Sequence, residues 1–534
     1  MLVFLLLFLD VKLVVKALAL IFIYLMRPDF KFGFRIKNSR LPLFYIIVLL
    51  IAIFNWIISS NFYNLNYGIA LITGIAFWTA CILAIHQLKL AVEINDAVII
   101  HHTIVAFFIL NILASYAIYA GIVIETGTIN PFRYQGNFQK YFMGTGDYIK
   151  GITMDTSTTN AVINAFGVLY FLSKKNAAMT ILCMSVLLLA ASNITNILLC
   201  CIFIGLFVFA SNKDQKSIII TCLMLGIIFL AKVSPQNNRY LEEAYKKFVA
   251  RLPSKTPAIT VVKAGSNEKE GALVTEEERR QIIARNYVDS IDNLMNTRRL
   301  KSMPVITKVD TLLAQTDKII VPPPPIHSPS YQYKNETTVL EKQLINFSAW
   351  QATVLPLTNS SKVPANLPGK LLALQQTFHL FQQQPGKIIS GAGMGNFSSK
   401  LAFRTTAMKI AGGYPSKFAY INPAFESNHF DLYLSYFTRQ DKLHSLTNSP
   451  NSVYDQLLSE YGLAGIMALV IFYFGFFAKY AQILTYGIPV LLLCAGIFFV
   501  DYWFEQLSVV ILFELLLFLD IRESSIEKTA ADGN

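Results

Sequence analysis

Long apolar runs parted by short polar loops leave this chain few ways to fold. The runs are Leu2–Met26, Leu41–Ser59, Tyr67–Leu88, Val98–Ile124, Thr158–Leu172, Ala177–Ala191, Ile194–Ala210, Ser217–Ala231, Gly462–Ala478, Ile483–Val500 and Phe504–Leu519. Most approach the roughly 20 residues that a helix needs to cross a bilayer. Across 534 residues, 54% are hydrophobic and only 15% charged, which a soluble protein of this length rarely shows. The expected fold is an all-α polytopic membrane protein with about 11 (10–12) transmembrane helices.

The short loops set an orientation. Arg27, Lys31, Arg35, Lys37 and Arg40 make the first loop basic and therefore cytoplasmic, whereas Ser60 to Asn66 carries no charge. Alternation then places Lys174, Lys175, Lys213, Lys216 and Arg522 inside as well. Two outer segments follow, Glu125 to Ser157 and a large, mainly helical region from Val233 to Tyr461. An odd count with the C-terminus inside puts the N-terminus outside. If Leu2–Met26 only lies on the membrane or forms a hairpin, the N-terminus moves inside and nothing else changes.

By composition the chain divides into N-terminal membrane helices (1–232) and a charged accessory insertion ending in Pro322–Pro325 (233–325). A motif-bearing outer loop (326–461), C-terminal membrane helices (462–521) and an inner tail (522–534) follow. The formal net charge is +12, and residues 233–450 hold 26 basic against 16 acidic residues. A basic outer surface points to an anionic partner such as phospholipid, lipid phosphate or a phosphorylated glycan. Nucleic acid fits the charge but not the location. All six cysteines fall in apolar runs, so neither a disulfide framework nor a zinc site is expected. His86, His101 and His102 lie near the inner ends of helices and are given no role.

The chemistry-bearing residues cluster between Asn366 and Gly465. Lys370 opens an amphipathic segment, Leu371 to Gln384, carrying His379. A turn follows with Gly391, Gly393, Gly395 and Asn396; its glycines permit positive φ and its N–H groups are expected to nest an anionic oxygen. Lys387, Lys400, Arg404, Lys409 and Lys417 surround it, a set better suited to a diphosphate than any one cation alone. Arg133, in the smaller outer loop, is expected to face the same site. His429 and His444 are the titratable candidates for a base. Then comes Asn451-Ser452-Val453-Tyr454-Asp455-Gln456-Leu457-Leu458-Ser459-Glu460-Tyr461-Gly462-Leu463-Ala464-Gly465, a polar stretch running straight into an apolar helix. No phosphate-binding P-loop, Rossmann fingerprint, Ser-His-Asp order or metal cluster is present.

This order of features resembles the bacterial O-antigen ligase and polymerase family. The likeness rests on four short spanning segments after Thr158, the long outer loop, Gly391-Ala392-Gly393-Met394-Gly395-Asn396-Phe397 and Asn451 to Gly465; it covers the membrane helices and Asn366 to the end, and does not extend to residues 235–325. It implies the all-helical fold of polyprenyl-dependent glycosyltransferases, in a bacterial inner membrane with the large loop periplasmic. It implies transfer of a glycan from a polyprenyl diphosphate to a lipid A core, glycan or protein acceptor, without cofactor or metal. Arg404, His444 and Asn451 would be catalytic; Lys370, Arg133, Gly391, Gly393, Gly395, Asn396, Tyr454 and Glu460 would bind substrate, with membrane lipids around them. Two departures stand out. Asn451 occupies the family's histidine position and cannot take a proton, so either His444 substitutes or a base is dispensable. The family's Ser-Gly-Arg reads Pro368-Gly369-Lys370, keeping the charge and losing the bidentate fork. The alternatives are a non-enzymatic membrane scaffold with an envelope-binding outer domain, and a transporter of lipid-linked glycans. A transporter would carry more ionisable residues within its helices than Asp10, Lys12, Lys16 and Glu514.

Overall fold

The computed structural model describes residues 13–58, 63–127, 129–133, 149–154, 156–190, 192–209, 211–234, 369–396, 422, 424–425, 429 and 450–532. Among them every regular element is a helix. Each apolar run contains a helix in its described part. In chain order the helices are α1 (Leu13–Met26), α2 (Phe44–Ile58), α3 (Leu65–Ile94), α4 (Ala97–Thr126), α5 (Ser157–Ser173), α6 (Ala177–Ala190), α7 (Asn193–Phe209) and α8 (Lys213–Ile228). After the outer segment come α9 (Gly369–Gln383), the short α10 (Lys387–Ser390), α11 (Val453–Met467, continuing through a wider π turn to Ala478), α12 (Gly487–Ile497) and α13 (Leu507–Asp532).

Among the described residues, four helices are long and apolar enough to cross a membrane: Leu65–Ile94, Ala97–Glu125, Lys213–Val233 and Val453–Ala478. Val15–Met26, Phe44–Ile58, Ala177–Ala190, Asn193–Phe209 and Gly487–Ile497 are apolar but shorter. At 1.5 Å per residue, helices of this length fall short of a hydrocarbon core about 30 Å thick. The outward faces are oily. Leu18, Phe22, Leu50, Phe54, Ile72, Leu113, Ile204 and Met224 are all exposed, a surface that water would not tolerate and lipid would.

Two helices are buried on all sides over most of the length whose side chains are described. α5 is buried on every side from Ser157 to Leu172 apart from Thr158, and α13 is buried from Leu507 to Asp520, so both form the interior that the others surround. Small residues allow the closest approaches. A Cβ on Gly167 of α5 would sit 2.5 Å from the Phe108 ring of α4, and one on Gly496 of α12 would sit 2.6 Å from Leu198 of α7. The α5–α6 turn is closed by Lys175 at φ 55°, with Asn176 N–H donating to Phe171 O. A ring cluster of Phe44, Tyr45, Trp78, Tyr473 and Phe504 fills the space between α2, α3, α11 and the start of α13, and Tyr45 Oη donates to Glu514 there at 2.8 Å.

The basic loops gather at one end. Arg40 pairs with Glu93, Lys89 Nζ donates to Arg40 O at 2.6 Å, and Arg522 donates to Val92 O and Asn95 O. At the same end Lys174 pairs with Glu523 at 2.7 Å and Gln215 Nε2 reaches Leu172 O at 3.3 Å. The glycine turn lies at the opposite end, where Asn55 at the close of α2 donates to Ser390 O. A buried amide network ties residues 149–152 down there: Asn111 Nδ2 donates to Asn160 Oδ1, Asn160 Nδ2 to Ile149 O, and Ile152 N–H to Asn111 Oδ1, all within 3.0 Å.

Asn38 sits at the basic end, and Ile129 follows α4 at the other. In a background without the exposed Cys201, an impermeant maleimide added to intact cells should label only one of Asn38→Cys and Ile129→Cys. Labelling of both would mean that α2, α3 and α4 do not all cross the membrane.

Candidate functional site

The two stretches singled out in the sequence meet face to face. Gly462 interrupts α11 with φ 66° and ψ −160°, a conformation essentially restricted to glycine. Gly391, closing α10, adopts the matching φ 75° and ψ −169°. A Cβ on Gly391 would lie 2.4 Å from the backbone of Glu460 and Tyr461, and one on Gly462 would lie 2.5 Å from Ile389. Nothing larger than hydrogen fits between the chains. The break opens the ladder of i→i−4 hydrogen bonds, and the turn caps it: Ala392 N–H donates to Ser459 O and Gly393 N–H to Glu460 O, each at 2.8 Å.

Four N–H groups of the turn expected to nest an anion are used within the protein instead. Gly391 N–H donates to Lys387 O at 2.8 Å and Asn396 N–H to Gly393 O at 3.2 Å, so these donors, like those of Ala392 and Gly393, are directed at protein carbonyls. Asn396 is buried and bonds back to Ala392 O at 3.1 Å. Gly393, at φ 102°, lies so close to Tyr67 that a Cβ would stand 2.9 Å from its hydroxyl, and Gly395 faces Ala70. Burial holds the Lys387 ammonium below the usual lysine range.

Lys370, in the first turn of α9, donates to Asn451 O at 2.8 Å and Val500 O at 2.9 Å, joining three distant segments. Asn451 is buried, and its Nδ2 donates to Asp501 Oδ1 at 3.3 Å. Asp501 also accepts from Tyr502 N–H at 2.8 Å and from Gln506 Nε2 at 3.4 Å. Gln506 in turn accepts from Thr159 at 3.3 Å, linking the site to central α5. Tyr454 turns its hydroxyl onto Ala495 O at 2.7 Å and packs on Phe499, so its polar tip holds α12. Glu460 is fully buried beneath the glycine turn.

Residues not singled out from the sequence complete the arrangement. Asp455 Oδ1 accepts from Thr377 Oγ1 at 2.7 Å, docking α11 on α9. Gln456 Nε2 donates to Glu505 Oε1 at 2.5 Å. Asp501, between two apolar runs, and Glu505, at the start of the second, were the available sequence signal for this side of the site. His429 is fully buried, with Nε2 placed 2.9 Å from Ala373 O, so the ring is the Nε2–H tautomer donating to that carbonyl. Burial pushes its pKa down to about 3, too low for a base at neutral pH. Of the remaining expectations, Arg404 and His444 lie outside the described residues. Arg133 closes the short Pro131–Arg133 turn beyond α4, and only its backbone is described. Lys370, Asn451, Tyr454, Glu460 and the glycine turn are therefore brought together, on a floor whose described side chains include Asp455, Glu460, Asp501 and Glu505. Among the described residues no group of three or more His, Cys, Asp or Glu side chains could hold a metal. Comparison with protein-family models, curated proteins and solved structures finds no match to this chain.

Gly462→Ala should lower stability by about 3 kcal/mol, from a glycine-only backbone and an overpacked contact together. Gly391→Ala should act similarly, and the double variant should fall short of the sum, because both methyls invade the same space. Thermal unfolding in detergent reads all three.

His429 supplies a pH dependence. Its folded pKa lies below the unfolded value of 6.5, so the unfolded chain binds the extra proton between about pH 6.5 and 3. Stability should therefore fall as pH drops through that window and be flat above it. Melting temperatures at pH 7 and pH 5 should differ less in His429→Gln, which keeps an N–H donor.

Proposed function

We propose that the chain is an integral membrane glycosyltransferase of the O-antigen ligase and polymerase type. It would carry about eleven helices in a bacterial inner membrane, with the basic loops cytoplasmic and the glycine-turn end periplasmic. The observation that carries this reading is the docking of Gly391–Asn396 onto Ser459–Gly462, with Lys370 bound to Asn451 O. These two stretches, both part of the family likeness, meet in one buried contact at one end of an apolar helical bundle.

In this reading a glycan on a polyprenyl diphosphate reaches the site from the lipid. Cations from the outer loop, Arg404 foremost, bind the diphosphate and stabilise it as the leaving group. The acceptor hydroxyl loses its proton to a base. His444 is one candidate; Asp501, held against Asn451, is a second carboxylate-based one. Acceptors would be a lipid A core, another glycan or a protein.

A second reading, a non-enzymatic scaffold, is favoured by one observation. Lys370, Tyr454 and Asn396 all hydrogen-bond protein carbonyls, as residues of a purely structural junction would.

Proteoliposomes supplied with an undecaprenyl-diphosphate-linked glycan and a lipid A core, glycan or peptide acceptor separate the two. Arg404→Ala should abolish transfer. Whichever of His444→Ala and Asp501→Asn removes the base should lower it by roughly 10²- to 10⁴-fold while lipid-glycan binding persists. No transfer by the wild type to any acceptor, in membranes where the protein is folded, would leave the scaffold.

A further inference from the structure

At the end of the molecule opposite the glycine turn, the loop joining α1 to α2 is a folded lobe with a mixed surface. Its inner side is fixed. The Phe32 ring lies 4.4 Å from His86 of α3 and stacks on Phe34 at 5.8 Å. Gly33, at φ 65°, lets the chain double back so that Arg40 N–H donates to Gly33 O at 3.0 Å. Arg40 then reaches Lys31 O at 3.2 Å and pairs with Glu93, while Lys89 holds Arg40 O. Asp29 is tied into its own turn by Lys31 N–H at 2.7 Å, which holds its carboxyl below the usual range.

The outer side is built differently. Arg27, Lys31, Arg35 and Lys37 are exposed. Two large apolar side chains stand among them, Phe30 at 65% and Ile36 at 87% exposure. The two acids nearby, Asp29 and Glu93, are engaged by Lys31 N–H and Arg40, so the rim is strongly cationic. Its depth can be read from α1, whose last residues Leu25 and Met26 are also exposed and apolar. The oily surface therefore ends at Met26, and the cations begin at Arg27.

We propose that this lobe is a binding surface for anionic phospholipid headgroups. Lipid phosphates would meet Arg27, Lys31, Arg35 and Lys37, while Phe30 and Ile36 enter the acyl boundary. A free anion would draw no benefit from the two apolar groups, whereas a lipid engages both kinds of contact. The inference rests on the membrane reading alone and is independent of glycan transfer.

The test uses the full chain in nanodiscs of phosphatidylcholine with a minor share of phosphatidylglycerol. Lipids that stay with the protein after mild extraction are counted by native mass spectrometry. Phosphatidylglycerol should be retained above its bulk share, and less so at high salt. Retention should weaken about fivefold for each cation removed in Arg35→Gln and Lys37→Gln. Arg35→Lys and Lys37→Arg should restore it. Phe30→Ser with Ile36→Ser should weaken retention of the lipid but not binding of water-soluble glycerophosphoglycerol. Unchanged retention in the glutamine variants overturns the proposal. So does competition by the soluble headgroup as effective as by the lipid, which makes this a site for soluble anions. Retention by the wild type at no more than the bulk share also overturns it. The wild-type salt series decides the point even if a variant fails to fold.

Discussion

The contact between Gly391 and Gly462 is the constraint on which the non-basic end of the molecule depends. A transmembrane helix satisfies its own backbone, and breaking one leaves carbonyls that lipid cannot serve. Here the break in α11 is answered by another piece of main chain. The turn after α10 offers two N–H groups to Ser459 O and Glu460 O, and it can approach only because both residues at the crossing lack a Cβ. Everything nearby is arranged about that crossing. Asn55 holds Ser390 from α2, Tyr67 abuts Gly393 from α3, and Lys370 fastens α9 to the segment entering α11.

Polar groups in the helical interior follow the same rule. Asn111, Ser115, Asn160 and Asn164 bond to one another and to the backbone of 149–152. A buried amide costs free energy unless paired, so this network closes only when residues 149–152 are seated between α4 and α5. At the basic end, Asp520 accepts from Thr485 N–H, Thr485 Oγ1 and Gly487 N–H, which fastens the start of α12 to α13. Both ends of the bundle are thus fixed by polar contacts between segments far apart in sequence, while apolar packing fills the middle.

Much of the helical layout was legible because apolar periodicity and run length respond directly to burial in lipid. Boundaries drifted where a second force acted. α3 continues past Leu88 to Ile94 because Lys89 and Glu93 find Arg40 and its carbonyl, which hydropathy does not register. The glycines were legible as positions needing unusual backbone, and each of Gly391, Gly393, Gly395 and Gly462 has positive φ. Their purpose was not: spacing alone cannot distinguish N–H groups aimed at an anion from N–H groups aimed at a broken helix. Lys370 illustrates the same limit. Its charge is written in the sequence, but its partners lie 81 and 130 residues away.

The charge distribution bears on how such a site would work. On the glycan-diphosphate reading, the described floor is poorly suited to hold the diphosphate by itself. It carries Asp455, Glu460, Asp501 and Glu505, with Lys370 already engaged by two carbonyls. Carboxylates and diphosphate repel, and the repulsion grows as water is excluded. In sequence, the span 400–442 holds six cations, Lys400, Arg404, Lys409, Lys417, Arg439 and Lys442, against three acids. On that reading the acidic, amide-rich floor would orient the acceptor hydroxyl, and cations of the outer segment would bind the leaving group. Asn451 fits the floor of such a site. It donates one hydrogen bond to Asp501 and needs no proton of its own to exchange.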